Sequence, residues 1–233
     1  MYAQVAIKPN PLLRNGAYGI VMRGVQKCTR GCSSLRGRNK LPLCCIKLDT
    51  ATDPFCGSGT FLIEAAYKAK NIAPGIYRRF AAEKWDSLPS KIWQTSREEA
   101  IEKIRKDIEF TAFGSDISQD SLEIAEANAR RAGISGLIRL EKADVKNFTI
   151  PDRKSLVVTN PPYGERLMNG EDLTKLYQTM GNVFQPSQQT AYYIISSAEN
   201  FEQSFGRKAD KKRKLYNGML KCNLYQYFAQ KSK

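Results

Sequence analysis

The sequence contains no histidine in 233 residues. Without an imidazole there is no Ser-His-Asp triad, no histidine general base and no histidine-ligated haem. Paired C-x-x-C spacing is missing as well. Cys28, Cys32, Cys44, Cys45, Cys56 and Cys222 are read as reduced, mostly buried thiols, and no metal is expected. No apolar run approaches the roughly 18 residues of a membrane span, so no membrane partner is expected. The opening Met1-Tyr2-Ala3-Gln4 lacks a charged stretch followed by an apolar one, so a secretory leader is not expected and a cytoplasmic location is. Internal repeats and low-complexity stretches are also missing.

Acidic residues are scarce at both ends of the chain. Residues 1–52 hold nine Lys/Arg against Asp49 alone, and residues 206–233 hold nine against Asp210 alone. Each end is therefore +8, which leaves −2 of the net +14 for residues 53–205. A nearly neutral core with basic ends points to a polyanionic partner, nucleic acid, rather than to an acidic small substrate.

From Thr52 onward strand-like and helix-like patterns alternate, the mark of a parallel α/β sheet. Gly57-Ser58-Gly59-Thr60 opens the helical run Phe61–Ala66. Residues 71–95 read as irregular, with Pro74-Gly75, Trp85, Pro89 and Trp93, and a charged helix is expected from about Ser96 to Lys106. After the strand Phe110–Asp116, Ser118 caps a helix with Leu122, Ala125, Ala129 and Ala132 at helical spacing, and Gly133 stops it. Strands are expected at Ile138–Lys142, Leu156–Thr159 and Ala191–Ser196, with a helix at about Leu173–Phe184. Lys214–Leu220 followed by Asn223–Phe228 reads as two strands with Asn217-Gly218 as the tight turn. An antiparallel pair closing a parallel sheet departs from a symmetric dinucleotide fold.

Three constellations carry chemistry. The first is Asp53-Pro54-Phe55-Cys56-Gly57-Ser58-Gly59-Thr60. Small residues after a strand let the backbone turn sharply and approach a ligand, with a helix starting beneath it. The phosphate-loop spacing and its lysine are absent, and the acidic residue at the strand end suits a ligand carrying an ammonium and a sulfonium. Structural turns of this kind are also common. The second is Asp116, whose carboxylate can accept from both hydroxyls of a ribose, with Ile117 covering an adenine face; the other reading of Asp116 is a helix cap. Asp144, followed by Val145, stands where it can accept from the adenine amino group, or it is a surface carboxylate. The third is Asn160-Pro161-Pro162-Tyr163. An exocyclic base amine is a poor nucleophile because its lone pair is delocalised into the ring. The Asn160 side-chain oxygen and the Pro161 carbonyl can hold both amino hydrogens and favour a pyramidal nitrogen, the prolines keep those acceptors aimed, and Tyr163 offers a face for the base to stack on.

Asp53–Thr60, Gly114-Ser115-Asp116 and Asn160–Leu167 together resemble bacterial ribosomal RNA guanine-N2 methyltransferases of the RlmL/YpsC-like group, proteins often labelled N6-adenine DNA methylases. The resemblance continues through Ala73-Pro74-Gly75, Glu83-Lys84-Trp85 and Lys212–Gly218, over about residues 53–230. It implies a class I Rossmann-like α/β fold with a mostly parallel seven-stranded sheet, S-adenosylmethionine as cofactor, and methylation of guanine N2 in 23S ribosomal RNA. Adenine-N6 methylation of DNA is the alternative, methylation of a protein glutamine a more distant one, and an inactive nucleic-acid-binding remnant the reading from another class. By the same resemblance Asp53, Pro54, Phe55, Cys56, Gly57, Ser58, Gly59, Asp116, Ile117, Asp144 and Val145 line the cofactor site, and Asn160, Pro161, Pro162 and Tyr163 hold the base.

Two departures qualify this. No stretch is long enough for the THUMP domain that the family carries, and residues 1–52 do not match the family's lead-in to its first strand. A permitted codon set for Leu41–Lys47, shifted by two bases, encodes Ala-Ala-Val-Leu-His-Lys, which resembles the missing helix. Residues 1–52 are therefore read as an atypical segment, out of frame or truncated, and residues 53–233 as the catalytic domain.

Overall fold

Short apolar runs separated by helices form a seven-stranded sheet in a computed structural model of the chain, which describes residues 49–162, 170–217 and 220–230. The strands are β1 (Thr50–Asp53), β2 (Thr111–Asp116), β3 (Ile138–Lys142), β4 (Ser155–Thr159), β5 (Thr190–Ser196), β6 (Lys211–Asn217) and β7 (Leu220–Tyr227), in the order β3-β2-β1-β4-β5-β7-β6. β1 to β5 run parallel, whereas β7 is antiparallel to β5 and β6 to β7. This is the expected class I Rossmann-like arrangement. The direction of winding reverses between β1 and β4, and the crevice beyond the carboxyl ends of strands at such a reversal is where open α/β sheets bind ligands.

The helices are α1 (Thr60–Lys70), α2 (Ser90–Glu102), α3 (Gln119–Arg131), α4 (Gly170–Val183) and α5 (Phe201–Phe205). α1 and α3 cover the first half of the sheet, with Leu62, Ile63, Ala66, Leu122 and Ala129 clustered on Ala51, Phe110, Ala112 and Ile138. α4 and α5 cover the other face of the second half, placing Tyr177, Met180, Phe184, Phe201 and Phe205 against Val157, Tyr192, Ile194, Tyr225 and Tyr227. Every residue of β1 and β4 is buried, as central parallel strands require.

Local chemistry sets the ends of α3. Ser118 caps it by accepting the Ser121 N–H at 3.3 Å, and Gly133 ends it at φ +69°. α2 starts at Ser90, earlier than expected, and ends at Glu102. Pro89, read from the sequence as part of an irregular stretch, sits immediately before the helix with φ −58°, already close to the helical value. β1 begins at Thr50, so the sheet extends into the last three residues of the segment read as atypical. Residues 1–48 of that segment lie outside the described residues, as do Gly218 of the expected turn and Tyr163. No helix among the described residues is long and apolar enough to cross a membrane.

Candidate active site

The loop from β1 into α1 is held by hydrogen bonds from several directions. Cys56 N donates to Ser115 O at 2.9 Å, tying the loop to the end of β2, and Gly59 N donates to Cys56 O at 2.8 Å. Gly57 and Gly59 adopt φ +50° and +77°, the left-handed region that glycine enters at no steric cost. Gly59 has a second reason to be glycine, since a Cβ there would stand 3.1 Å from the Ala125 Cβ of α3. At Gly57 a Cβ would meet nothing within 4 Å, so the outer surface of the turn faces open space. Ser58 is exposed, with its hydroxyl 3.1 Å from that of Thr60, while Pro54 is buried and Phe55 half-buried against the aromatic cluster.

Asp53, the last residue of β1, is 1% exposed. Its Oδ1 accepts the Phe55 N–H at 3.1 Å and the Thr159 hydroxyl at 2.7 Å. Both bonds favour the ionised carboxylate, but burial outweighs them, and with a smaller contribution from Asp116 it raises the Asp53 carboxyl to about 7. The same burial, followed by the charges of Asp53 and Asp116, pushes the Cys56 thiol up to about 12, so Cys56 is a neutral wall rather than a nucleophile.

Asp116 ends β2 and bridges two loops. Its Oδ2 accepts the Gly57 N–H at 3.0 Å and its Oδ1 accepts the Ser118 N–H at 2.9 Å. The capping and ligand-holding readings are compatible, because each carboxylate oxygen keeps a further acceptor direction. Ile117, beside it, is 70% exposed, unusual for a large apolar side chain. Asp144 accepts the Lys146 N–H at 2.9 Å, and that bond, together with the Lys146 ammonium 3.3 Å away, holds its carboxyl below the ordinary range. Val145 is buried in the aromatic cluster, with its side chain turned into the core.

Asn160, Pro161 and Pro162 follow directly on β4, with Pro161 buried and Asn160 and Pro162 half-buried. The strand register puts Asp53 and the end of β4 side by side, and the Thr159–Asp53 bond links the loop bearing Asn160 to the loop bearing the glycines. The sequence reading missed Thr159. A threonine in a buried strand reads as ordinary β-propensity, and its only signal is a hydroxyl at the last position of an otherwise apolar strand end. Among the described residues no cluster of His, Cys, Asp and Glu is suited to a metal.

The family model described as the RMKL-like methyltransferase domain (UPF0020) matches residues 47–226. The chain belongs to that family. It is 44% identical over 178 residues to YpsC of Bacillus subtilis, covering 76% of this chain and 46% of that one. It is 39% identical over 192 residues to ribosomal RNA large subunit methyltransferase K/L of Shewanella baltica, covering 79% of this chain and 27% of the relative. The chain thus spans less than half the length of these curated relatives. Among solved structures, SMU.472, a methyltransferase candidate crystallised with SAH, superposes with a TM-score of 0.76 at 42% identity, covering 79% of this chain and 49% of that one.

Proposed function

We propose that this domain transfers a methyl group from S-adenosylmethionine to the exocyclic amine of a base in RNA, specifically guanine N2 in large-subunit ribosomal RNA. The observation that carries this reading is the hydrogen bond between Thr159 and Asp53, which couples an Asn-Pro-Pro amine acceptor to a glycine turn suited to the cofactor. YpsC is named as a candidate RNA methyltransferase and the Shewanella protein as a ribosomal RNA methyltransferase, which supports RNA over DNA.

The residues present fit S-adenosylmethionine. The turn at Gly57 opens onto free space, Asp116 retains acceptor directions for two hydroxyls, and the buried Asp53 carboxylate suits a cationic ligand. When bound, the cofactor provides an electrophilic methyl carbon on a sulfonium. Asn160 Oδ1 and the Pro161 carbonyl accept the two amine hydrogens of the base and favour a pyramidal nitrogen, so the lone pair is withdrawn from the ring π system and can point at that carbon. The two prolines keep the acceptors in place without reorganisation. Tyr163 stacks on the base and Ile117 covers the adenine. As the C–N bond forms, the methyl carbon's bond to sulfur would break with its electron pair going to sulfur, and the amine proton leaves to water.

Tritiated S-adenosylmethionine offered with total RNA, and separately with DNA, tests the proposal. Label in RNA recovered as N2-methylguanine is expected. Label in DNA as N6-methyladenine overturns the choice of substrate, and cofactor binding without transfer to either overturns the enzymatic reading.

A further inference from the structure

Between α1 and β2 the chain leaves the sheet and returns to the same point. Arg105 N donates to Lys70 O at 2.8 Å, Asn71 Nδ2 donates to Lys103 O at 2.8 Å, and the Lys70 ammonium donates to Ile108 O. The excursion thus closed off has a small interior of its own. Phe80 stacks on Trp93 with ring centroids 5.7 Å apart, and the Arg78 guanidinium lies 5.5 Å from the Phe80 centroid. Glu83 accepts the Phe80 N–H at 2.7 Å and pairs with Arg97, which also donates to Arg78 O at 3.0 Å. The Phe80 hydrogen bond, then the Arg97 contacts, hold the Glu83 carboxyl below its ordinary range, so its charge is engaged within the excursion.

Two rings remain outside this interior. Tyr77 is 70% exposed and Trp85 60% exposed, on a backbone fixed by those bonds. Between them in sequence lie the exposed Arg79 and Lys84, which take part in none of the ion pairs among the described residues. Tyr77 lies against the turn that ends α3, since a Cβ on Gly133 would stand 3.5 Å from its Cε2, and that helix ends in the exposed Arg130 and Arg131. Exposed rings beside exposed cations match what single-stranded nucleic acid needs, a face for each base and a charge for each phosphate.

We infer that residues 71–104 form a second RNA-binding surface, with Tyr77 and Trp85 stacking unpaired bases and Arg79 and Lys84 contacting the flanking phosphates. This rests on the reading that the substrate is RNA. The excursion leaves and rejoins the fold at Lys70, the end of α1 away from the glycine turn, about 16 Å along its 11 residues. The excursion therefore grips RNA beyond the target base and contributes affinity without touching the reaction.

The test uses the full chain, a labelled single-stranded RNA of about twenty nucleotides for binding, and total ribosomal RNA for methyl transfer. Tyr77→Ala and Trp85→Ala are each expected to weaken RNA binding about fivefold or more, and Trp85→Phe to restore most of it. Arg79→Gln combined with Lys84→Gln is expected to lower the slope of log affinity against log salt by about two. S-adenosylmethionine affinity and the rate at saturating RNA stay at the wild-type level in all of them. A wild-type chain that labels RNA while the alanine variants bind it equally well overturns the inference and leaves the proposed function standing. The inference is also overturned if those variants lose self-association in sedimentation rather than RNA affinity. A wild-type chain that neither binds nor labels RNA removes the proposed function first.

Discussion

β1, β2 and β3 lie under Leu62, Ala66, Leu122 and Ala129, whereas β5 and β7 lie under Tyr177, Phe184, Phe201 and Phe205. The small residues of the first half let its layers come close. A Cβ on Gly114 would stand 2.4 Å from Leu62 Cδ1, and one on Gly59 would press on Ala125. That closeness brings the glycine turn within hydrogen-bonding reach of Ser115 and Asp116. In the second half the width between layers is filled by rings, with Phe184 stacked on Tyr192 at 5.3 Å and Phe201 on Phe205 at 5.2 Å. The half that carries the glycine turn is therefore packed mainly from aliphatic side chains with glycine and alanine at its closest contacts, and most of the ring stacking sits in the other half.

Substitutions in the two halves test this contrast. The largest effect is expected for Phe184→Ala in the aromatic half, a loss of about 3–5 kcal/mol of stability in urea unfolding, with cofactor affinity of the folded fraction unchanged. A fall in affinity without a fall in stability would dissolve the division. Asn160→Ala is expected to slow methyl transfer roughly a hundredfold or more in single-turnover assays at saturating cofactor. Its stability and cofactor affinity should match wild type, and a near-normal rate would remove Asn160 from the mechanism. Asp116→Ala should weaken S-adenosylmethionine binding by about 1.5–3 kcal/mol in calorimetry, the scale of hydrogen bonds to a charged group. An unchanged affinity in a folded variant would leave Asp116 as a loop tie only.

The smallest effect concerns Asp53, whose carboxyl is raised to about 7. Between the ordinary carboxyl value and about 7 the folded chain keeps a proton that the unfolded chain has lost, so its contribution to stability falls as pH rises through that window. A cationic ligand favours the ionised form. Its affinity should therefore rise about threefold from about pH 6.5 to about pH 7.5, with proton uptake by the buffer on binding. Asp53→Asn should flatten the profile, and a wild-type affinity that is flat across this range would contradict the assignment.

The strand ends and the glycine turn were legible in the sequence because their constraints are local. A left-handed turn needs glycine, and a helix start needs a cap, as Ser118 shows. What was not legible depends on partners distant in sequence. Thr159 acquires its role only when β4 lies beside β1, which brings its hydroxyl to Asp53 across 106 residues. The start of α2 was obscured because Pro89 serves equally as a breaker and as the residue that leads into a helix. Val145, placed with Asp144 in the cofactor site, has its side chain in the aromatic cluster, a choice of direction that no local pattern encodes.

The bond between Arg105 N–H and the Lys70 carbonyl also makes this place a splice point. The two strands of chain that meet there are one hydrogen bond apart, so a linker of two or three residues spans the gap. Sequence added or removed between them is absorbed at the surface, while the register of β1 against β2, with Asp53 opposite Gly114, is untouched. The inferred RNA contact of the insert can thus change by editing one segment, with the geometry of the strand ends inherited whole.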